Sequence, residues 1–423
     1  MTIGFHAPSP RFRIYGRSRD YLTIMGSLLT RRWLKGTNLS EVEAAAARLS
    51  GGRHAVCMPK ARVGIFLAVR ALIAPGQKVI LSPYTISDVV NMVICAGGVP
   101  VFADITDSWN IDPGEVERLI DADTGAVLCT HLHGLACDIK RLAALCEKRG
   151  IPLIEDAAQA LGARVGGQAV GTFGEAGVFS FGMYKNINSF FGGMLVSANS
   201  EFVTKIRKEV EEFPYQEMGY YWREVLNGVA TDIATFPPLF RVLTYWIFRY
   251  GFLHDVRFLN RRVSVDVDPK SKSVVPENYL RRMTPLQAGL ILRQLPDVDK
   301  HAARRLETAR VYAEGLDSVP EVTLPPWHDD GTHVYMSYPI AVEDRVSLLR
   351  HLMRSGRDIG AQQHHNCADL ACFSAFHQDC PQARNLAKST IVLPTYPGYR
   401  ASEARRNVAV IREYFEGQRC GSA

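Results

Sequence analysis

An α/β fold built on a mostly parallel central sheet is what this sequence predicts, and three observations predict it. Short apolar runs alternate with helix-period stretches from about residue 39 to 197, the pattern of strands each followed by a covering helix. The runs KVILS, AVLCT, PLIED and AGVFSF are apolar nearly throughout rather than alternating, as strands buried on both faces must be. At 423 residues the chain is too long for one small core and suits a large unit plus a smaller one.

Taken in order, LSEVEAAAARLS at 39–50 predicts a helix, with Ser40 as N-cap and Gly51-Gly52 as its stop. A second helix over 61–73 leads into a strand at 78–82, and further strands are expected at 100–103, 126–130, 152–156, 176–181 and 193–197. Helical periodicity returns over 282–315, and 316–423 mixes short strands, such as HVYMSYPIAV, with helices. The expected division is a large domain over 1–300 and a small C-terminal α/β domain over 301–423.

A hydrophobic share of 47% with 22% charged residues describes a globular chain and excludes disorder. The net charge of +6 permits attraction to phosphorylated substrates or an anionic membrane, but the basic residues are not concentrated enough for nucleic-acid binding. Nine cysteines without a C-x-x-C pair argue for a reducing compartment. No apolar run reaches the ~18 residues of a spanning helix. YLTIMGSLL at 21–29 runs into Arg31 and Arg32 without a small-residue cleavage site, so the cytoplasm is the expected location.

Asp156 closes the IPLIED run, Ser180 closes AGVFS, and Lys185 follows five residues later. Ligands of parallel sheets sit outside the carboxyl ends of the strands, so all three face one crevice. A lysine amine to hold the cofactor, a carboxylate to keep its ring nitrogen protonated and a hydroxyl for its phosphate are what a pyridoxal phosphate site requires. Taken singly, each has a plainer reading: a surface lysine, a helix-capping aspartate, a loop serine.

The combination resembles a known family. IEDAAQALGA…GTFGEAGVFSFGMYKN is similar to the DegT/DnrJ/EryC1/StrS sugar aminotransferases, which are fold type I pyridoxal phosphate enzymes. The resemblance runs over about residues 35–415, through APGQKVILSPYT, AGGVPVFADI, HLHG at 131–134, RRMTPLQAGLILRQL and IVLPTYPG. It implies the three-layer fold type I architecture, with Asp156 on the pyridine nitrogen, Gln159 near the ring hydroxyl, Ser180 on the phosphate and Lys185 as the Schiff-base lysine. It also implies transfer of an amino group from glutamate or glutamine to a keto group on a nucleotide-linked sugar, in a homodimer, for polysaccharide or secondary-metabolite synthesis. His364 matches a histidine at the active-site mouth and is expected to contact substrate. Relatives that dehydrate sugars carry histidine in place of the lysine, and Lys185 argues against that branch.

Four departures from the family qualify these expectations. The phosphate-binding Ser-Gly-Thr of relatives is Lys60, Ala61 and Arg62 here; backbone N–H groups at the helix start remain donors, and the Arg62 guanidinium faces cofactor phosphate, substrate or solvent. Ser189-Phe190-Phe191 replaces a small polar stretch, and the two aromatics either dry the pocket or pack into the core. Ile86 stands where relatives often stack an aromatic on the pyridine ring, which leaves Tyr84 as a substitute and substrate contact. Last, an extended segment at about 214–275 interleaves Trp246, Phe248, Tyr250 and Phe252 with Arg241, Arg249, Arg257, Arg261 and Arg262. That composition, over 229–262, suits peripheral contact with a membrane interface; a buried helical pair or dimerisation arm is the alternative. Such departures admit an atypical pyridoxal phosphate enzyme acting on a non-sugar or lipid-linked carbonyl, or a non-catalytic regulator. His364, His365, Cys367, Cys372, His377 and Cys380 crowd into 17 residues, but without the tight pair spacing of common zinc sites no metal is expected.

Overall fold

The structure is a computed structural model that describes residues 8–14, 18–36, 39–51, 53–256, 258, 268–361 and 364–421. Seven strands form the main sheet: β1 (His54–Met58), β2 (Lys78–Leu81), β3 (Val99–Phe102), β4 (Thr124–Thr130), β5 (Leu153–Asp156), β6 (Ala176–Ser180) and β7 (Gly193–Ser197). Their spatial order is β1-β7-β6-β5-β4-β2-β3. β7 runs against both of its neighbours, and the other pairs are parallel.

The apolar runs are continuous because each strand is covered twice. Val79, Leu81, Leu128, Ile154 and Val178 pack with Val63 and Leu67 of the Ala61–Leu72 helix and Val90 of the Ser87–Cys95 helix. Their alternates Ile80, Val127, Cys129 and Leu153 pack with Leu142 and Leu145 of the Ile139–Arg149 helix on the opposite face. Asp138 caps that helix at its start and Gly150, left-handed, at its end. In register, Thr130 stands opposite Asp156, and Asp156 opposite Val178. The carboxyl ends of β4, β5 and β6 therefore share one edge of the sheet, the edge the sequence argument required.

A second sheet places Thr390–Leu393 between Tyr338–Ala341 and Gly360–Ala361, antiparallel to both. Helices Val298–Leu316, Arg345–Arg354 and Ala401–Gly421 enclose its apolar core. The chain crosses between the two cores more than once. Arg11 pairs with Asp358, His365–Asn366 pairs with Tyr84–Thr85, and Cys367 and Phe373 join the main core.

Two stretches singled out in the sequence resolve into helices. The 282–315 stretch is two helices, Pro285–Gln294 and Val298–Leu316, parted by a tight turn at Leu295–Asp297 where Pro296 interrupts the pattern. Residues 21–29 lie in the Ser18–Leu29 helix, whose Ile24 and Leu28 are buried and whose Asp20 pairs with Arg293. The extended segment forms the Met218–Ala234 helix and a continuous helical stretch over 237–253; Arg257, Arg261 and Arg262 lie outside the described residues. Among the described residues no helix is long and apolar enough to cross a membrane.

Candidate active site

Asp156 and Lys185 meet at the carboxyl edge of the sheet. Asp156 is buried at the end of β5 and accepts the Ala158 N–H at 3.0 Å, and burial raises its carboxyl above the usual carboxylate range. Lys185 lies in the turn after β6, where burial pushes its amine down to about 8; Asp156 opposes that shift and the Arg62 charge adds to it. A lysine so placed holds far more of the uncharged amine near neutrality than a free lysine does, and that is the form a nucleophilic amine needs.

Gln159 stands beside them, and its amide orientation is fixed. Its Oε1 accepts the His133 N–H at 2.9 Å, a bond only an oxygen can accept, so its NH2 is left as donor. Ser180 ends β6 with its hydroxyl near the Gly182 N–H, at a long 3.4 Å. Donor NH2, hydroxyl, carboxylate and amine thus line one edge.

The turn that carries Lys185 is held by residues a hundred positions away. Gln287, fully buried, accepts the Thr284 N–H at 3.0 Å within a capping box and donates to the Phe191 carbonyl. Gln294 accepts the Asn188 N–H at 2.9 Å and donates to the Asn188 carbonyl at 2.7 Å. Asn186 donates to the Leu161 carbonyl at 2.7 Å. These bonds give TPLQAGLILRQ a physical role: it clamps the lysine turn.

Lys60, Ala61 and Arg62 form the start of the Ala61–Leu72 helix, with Lys60 as N-cap. The Arg62 guanidinium pairs with Asp88 and reaches the Tyr279 hydroxyl at 3.1 Å. Lys272 also pairs with Asp88. Lys60, by contrast, has no carboxylate partner among the described residues and lies over the Tyr279 ring at 4.3 Å, and burial with the neighbouring Arg62 lowers its amine to about 8. Arg62 thus faces Asp88 and Tyr279 while remaining near enough to act on Lys185.

The sequence matches the DegT/DnrJ/EryC1/StrS aminotransferase family over residues 18–232 and 257–412. The chain belongs to that family. GDP-perosamine synthase of Vibrio cholerae is 38% identical to this aminotransferase over 415 residues, covering 95% of this chain and 96% of that one. The spore coat polysaccharide biosynthesis protein SpsC of Bacillus subtilis is 28% identical over 401 residues, covering 91% and 92%. Among solved structures, PseC of Helicobacter pylori, an aminotransferase of pseudoaminic acid biosynthesis, superposes with a TM-score of 0.74 at 19% identity, covering 98% of this chain and 99% of that one. The family establishes a fold type I, pyridoxal phosphate-dependent aminotransferase of the sugar class.

The donor set fits that cofactor. Asp156 would hold the ring nitrogen and Gln159 the ring oxygen; Ser180 and the Ala61 and Arg62 N–H groups at the helix start would hold the phosphate, and Lys185 the covalent link.

His364 is brought to the aminotransferase's site. Burial, with the His133 and Lys185 charges, lowers its imidazole, its ring lies 5.4 Å from those of both Tyr84 and His133, and its Nδ1 is buried with no hydrogen-bond partner among the described residues. Tyr84 departs from expectation. In this structure it is fully buried, its hydroxyl bonds Thr390 Oγ1 at 3.2 Å and its ring meets that of His364 edge-on. Sequence reasoning quoted HLHG without a role for His133, which the turn delivers beside Lys185. His133 has φ +58° and bonds Ser337 at 3.0 Å, and burial with the Lys185 charge depresses its imidazole to about 3. Gly134, at φ +78°, lets the turn dock; a Cβ there would lie 2.7 Å from the Met336 nitrogen.

Phe190 and Phe191 pack into the core with Trp33 and Tyr221, not into the crevice. Helix 218–234 admits Phe190 at Gly228, where a Cβ would meet the Phe190 ring at 2.5 Å. The 364–380 histidines and cysteines take separate partners: Cys367 bonds the Thr85 carbonyl and His377 the Ala368 carbonyl. Among the described residues, donor atoms within 4.8 Å of one another occur instead at Cys129, His131 and Cys137. There, His131 Nδ1 accepts the Cys137 N–H at 3.0 Å and Nε2 faces Glu155 at 3.2 Å, which leaves the imidazole no lone pair for a metal.

Proposed function

We propose that this protein moves an amino group from glutamate or glutamine to a keto carbon of a nucleotide-linked sugar, as a cytoplasmic homodimer. The observation that carries the reading is the buried Lys185 amine, lowered to about 8 and facing the buried Asp156. Bound pyridoxal phosphate supplies an electron sink for the reacting carbon. Lys185, as a neutral amine, would hold that cofactor covalently, and as a free amine it would take up and return the proton at the reacting carbon. Asp156 favours a protonated ring nitrogen, Gln159 orients the ring oxygen, and Ser180 with the Ala61 and Arg62 N–H groups positions the phosphate.

A phosphate-bearing acceptor is supported by the cations gathered on the Tyr279 ring. Lys60, Arg62 and Lys272 lie within 5.5 Å of its centroid, and the carboxylate that pairs with two of them is Asp88. The unpaired Lys60 is left to face an anion, and His364 to meet the sugar through its unpartnered Nδ1. Relatives named for GDP-linked and UDP-linked sugars point to the same class.

Half-transamination tests the reading. Purified protein loaded with pyridoxal phosphate is mixed with glutamate or glutamine while the visible spectrum is followed. Loss of the visible band, and its return with a keto-sugar nucleotide, is the expected result; a spectrum unmoved by either donor refutes the transaminase. A solution mass of one chain by light scattering would refute the homodimer.

A further inference from the structure

The 237–253 helix carries an apolar face turned to solvent. Pro237–Leu239, a π-turn at Phe240–Thr244 and Tyr245–Leu253 run on as one helical stretch. Its inner face is settled: Phe240 and Tyr245 are buried against Met353, and the Tyr245 hydroxyl bonds the Met353 carbonyl. Its outer face is Val242, Leu243, Trp246, Ile247 and Tyr250, spaced 1, 3, 1 and 3 apart and 41–74% exposed. Phe236 and Ile233 continue the exposed apolar surface toward the preceding helix. Large apolar side chains at this spacing define one stripe of a helix, and a contiguous stripe of this kind on a surface marks a contact.

Charge decides what the contact is with. Residues 233–254 hold no aspartate or glutamate, while Arg241 and Arg249 flank the stripe, with Arg249 lying 5.3 Å from the Trp246 ring. A two-fold contact with a second copy would set this face against itself and bring arginines together with no carboxylate from the segment between them. The family match also breaks at 233–256, so the stripe lies in a segment outside what the family shares. Tryptophan, tyrosine and arginine bordering an aliphatic stripe suit a headgroup layer, where the aromatics sit at the polar boundary and the arginines meet phosphates.

We propose that the 237–253 helix lies flat in the headgroup layer of an anionic bilayer, with Val242, Leu243, Trp246, Ile247 and Tyr250 facing the acyl chains. The aromatic and apolar side chains supply the partition, and the arginines supply the preference for anionic lipid. The helix anchors without crossing, since the stripe spans residues 242–250 and its opposite face is committed to the protein core.

The test is vesicle flotation with the full-length, cofactor-loaded protein. Vesicles of phosphatidylcholine with about one-third phosphatidylglycerol are compared with phosphatidylcholine alone, at low and high salt. Binding to the anionic vesicles, weakened by salt and by omission of phosphatidylglycerol, is expected. The Val242→Glu/Ile247→Glu double variant, altered only at exposed positions, should keep its visible cofactor band and lose on the order of a hundredfold in partition. Failure of the parent protein to float with anionic vesicles overturns the proposal, as does a variant that binds as well as the parent. A parent that ignores vesicles but loses its oligomeric state on this substitution would assign the stripe to a second copy and overturn it equally.

Discussion

The lowered Lys185 amine makes a prediction that can be worked through in numbers. At its ordinary value of 10.5 about one lysine in 3,000 is uncharged at pH 7, and at about 8 roughly one in ten is, a gain of about 300-fold in nucleophilic amine. The assay mixes cofactor-stripped protein with pyridoxal phosphate and follows the visible band by stopped flow from pH 6 to 10. Because the neutral form reacts and predominates above the amine's titration point, the rate should climb about tenfold per pH unit below about 8 and level off above it. Asp156 opposes the lowering and Arg62 adds to it, so Asp156→Asn should move the bend to lower pH and Arg62→Gln to higher pH. A rate that continues to rise tenfold per unit beyond pH 9.5 would refute the argument that burial, set against these two charges, primes this lysine. So would two variants that shift the bend in the same direction.

Gln287→Leu should destabilise the protein by about 2–4 kcal/mol, chiefly by orphaning the buried Thr284 N–H, since the Phe191 carbonyl keeps the Ser189 hydroxyl. Urea unfolding and slower cofactor capture are the readouts, and a variant as stable as the parent refutes the clamp. Tyr84→Phe should cost about 1 kcal/mol of stability through the lost bond to Thr390 and leave the KM for the acceptor unchanged; a several-fold rise in KM would return Tyr84 to the substrate. Lys60→Gln should raise the acceptor KM roughly tenfold or more while sparing the half-reaction with glutamate, because a lost charge-assisted contact to phosphate acts only on the acceptor. Impaired cofactor retention instead would place Lys60 on the cofactor.

What could be read from the sequence was what lies close along the chain. Asp156 and Ser180 end strands that are neighbours in the sheet, and Lys185 is one turn further, so a parallel arrangement alone brings them to one edge. The inner strands and their covering helices followed for the same reason, since they announce themselves by local pattern, whereas the edge strand His54–Met58 is not among the expected strands. What the sequence withheld depends on distant partners. The clamp of Gln287 and Gln294 on the lysine turn spans about a hundred residues, and the Arg62–Tyr279 bond spans 217. No local period specifies such pairings. Nor does one specify that Phe190 packs into the core, because that depends on the gap Gly228 opens in a helix dozens of residues away.

The departures at the cofactor's phosphate end follow one physical logic. Lys60-Ala61-Arg62 at this helix start sets two cations side by side at a positive helix end. Left alone, they would repel each other and any further cation nearby. Asp88 offsets two of the charges by accepting Arg62 and Lys272, and the Tyr279 face supports Lys60, Arg62 and Lys272 together. Burial, with the neighbouring Arg62 charge, lowers the Lys60 amine to about 8 against the opposing pull of Glu224 and Asp88. An incoming phosphate group reverses that balance: it would restore the proton to Lys60 and bind more tightly for doing so. On the proposed function Lys60 would meet the acceptor's phosphate, which is why the Lys60 variant should separate acceptor binding from the donor half-reaction.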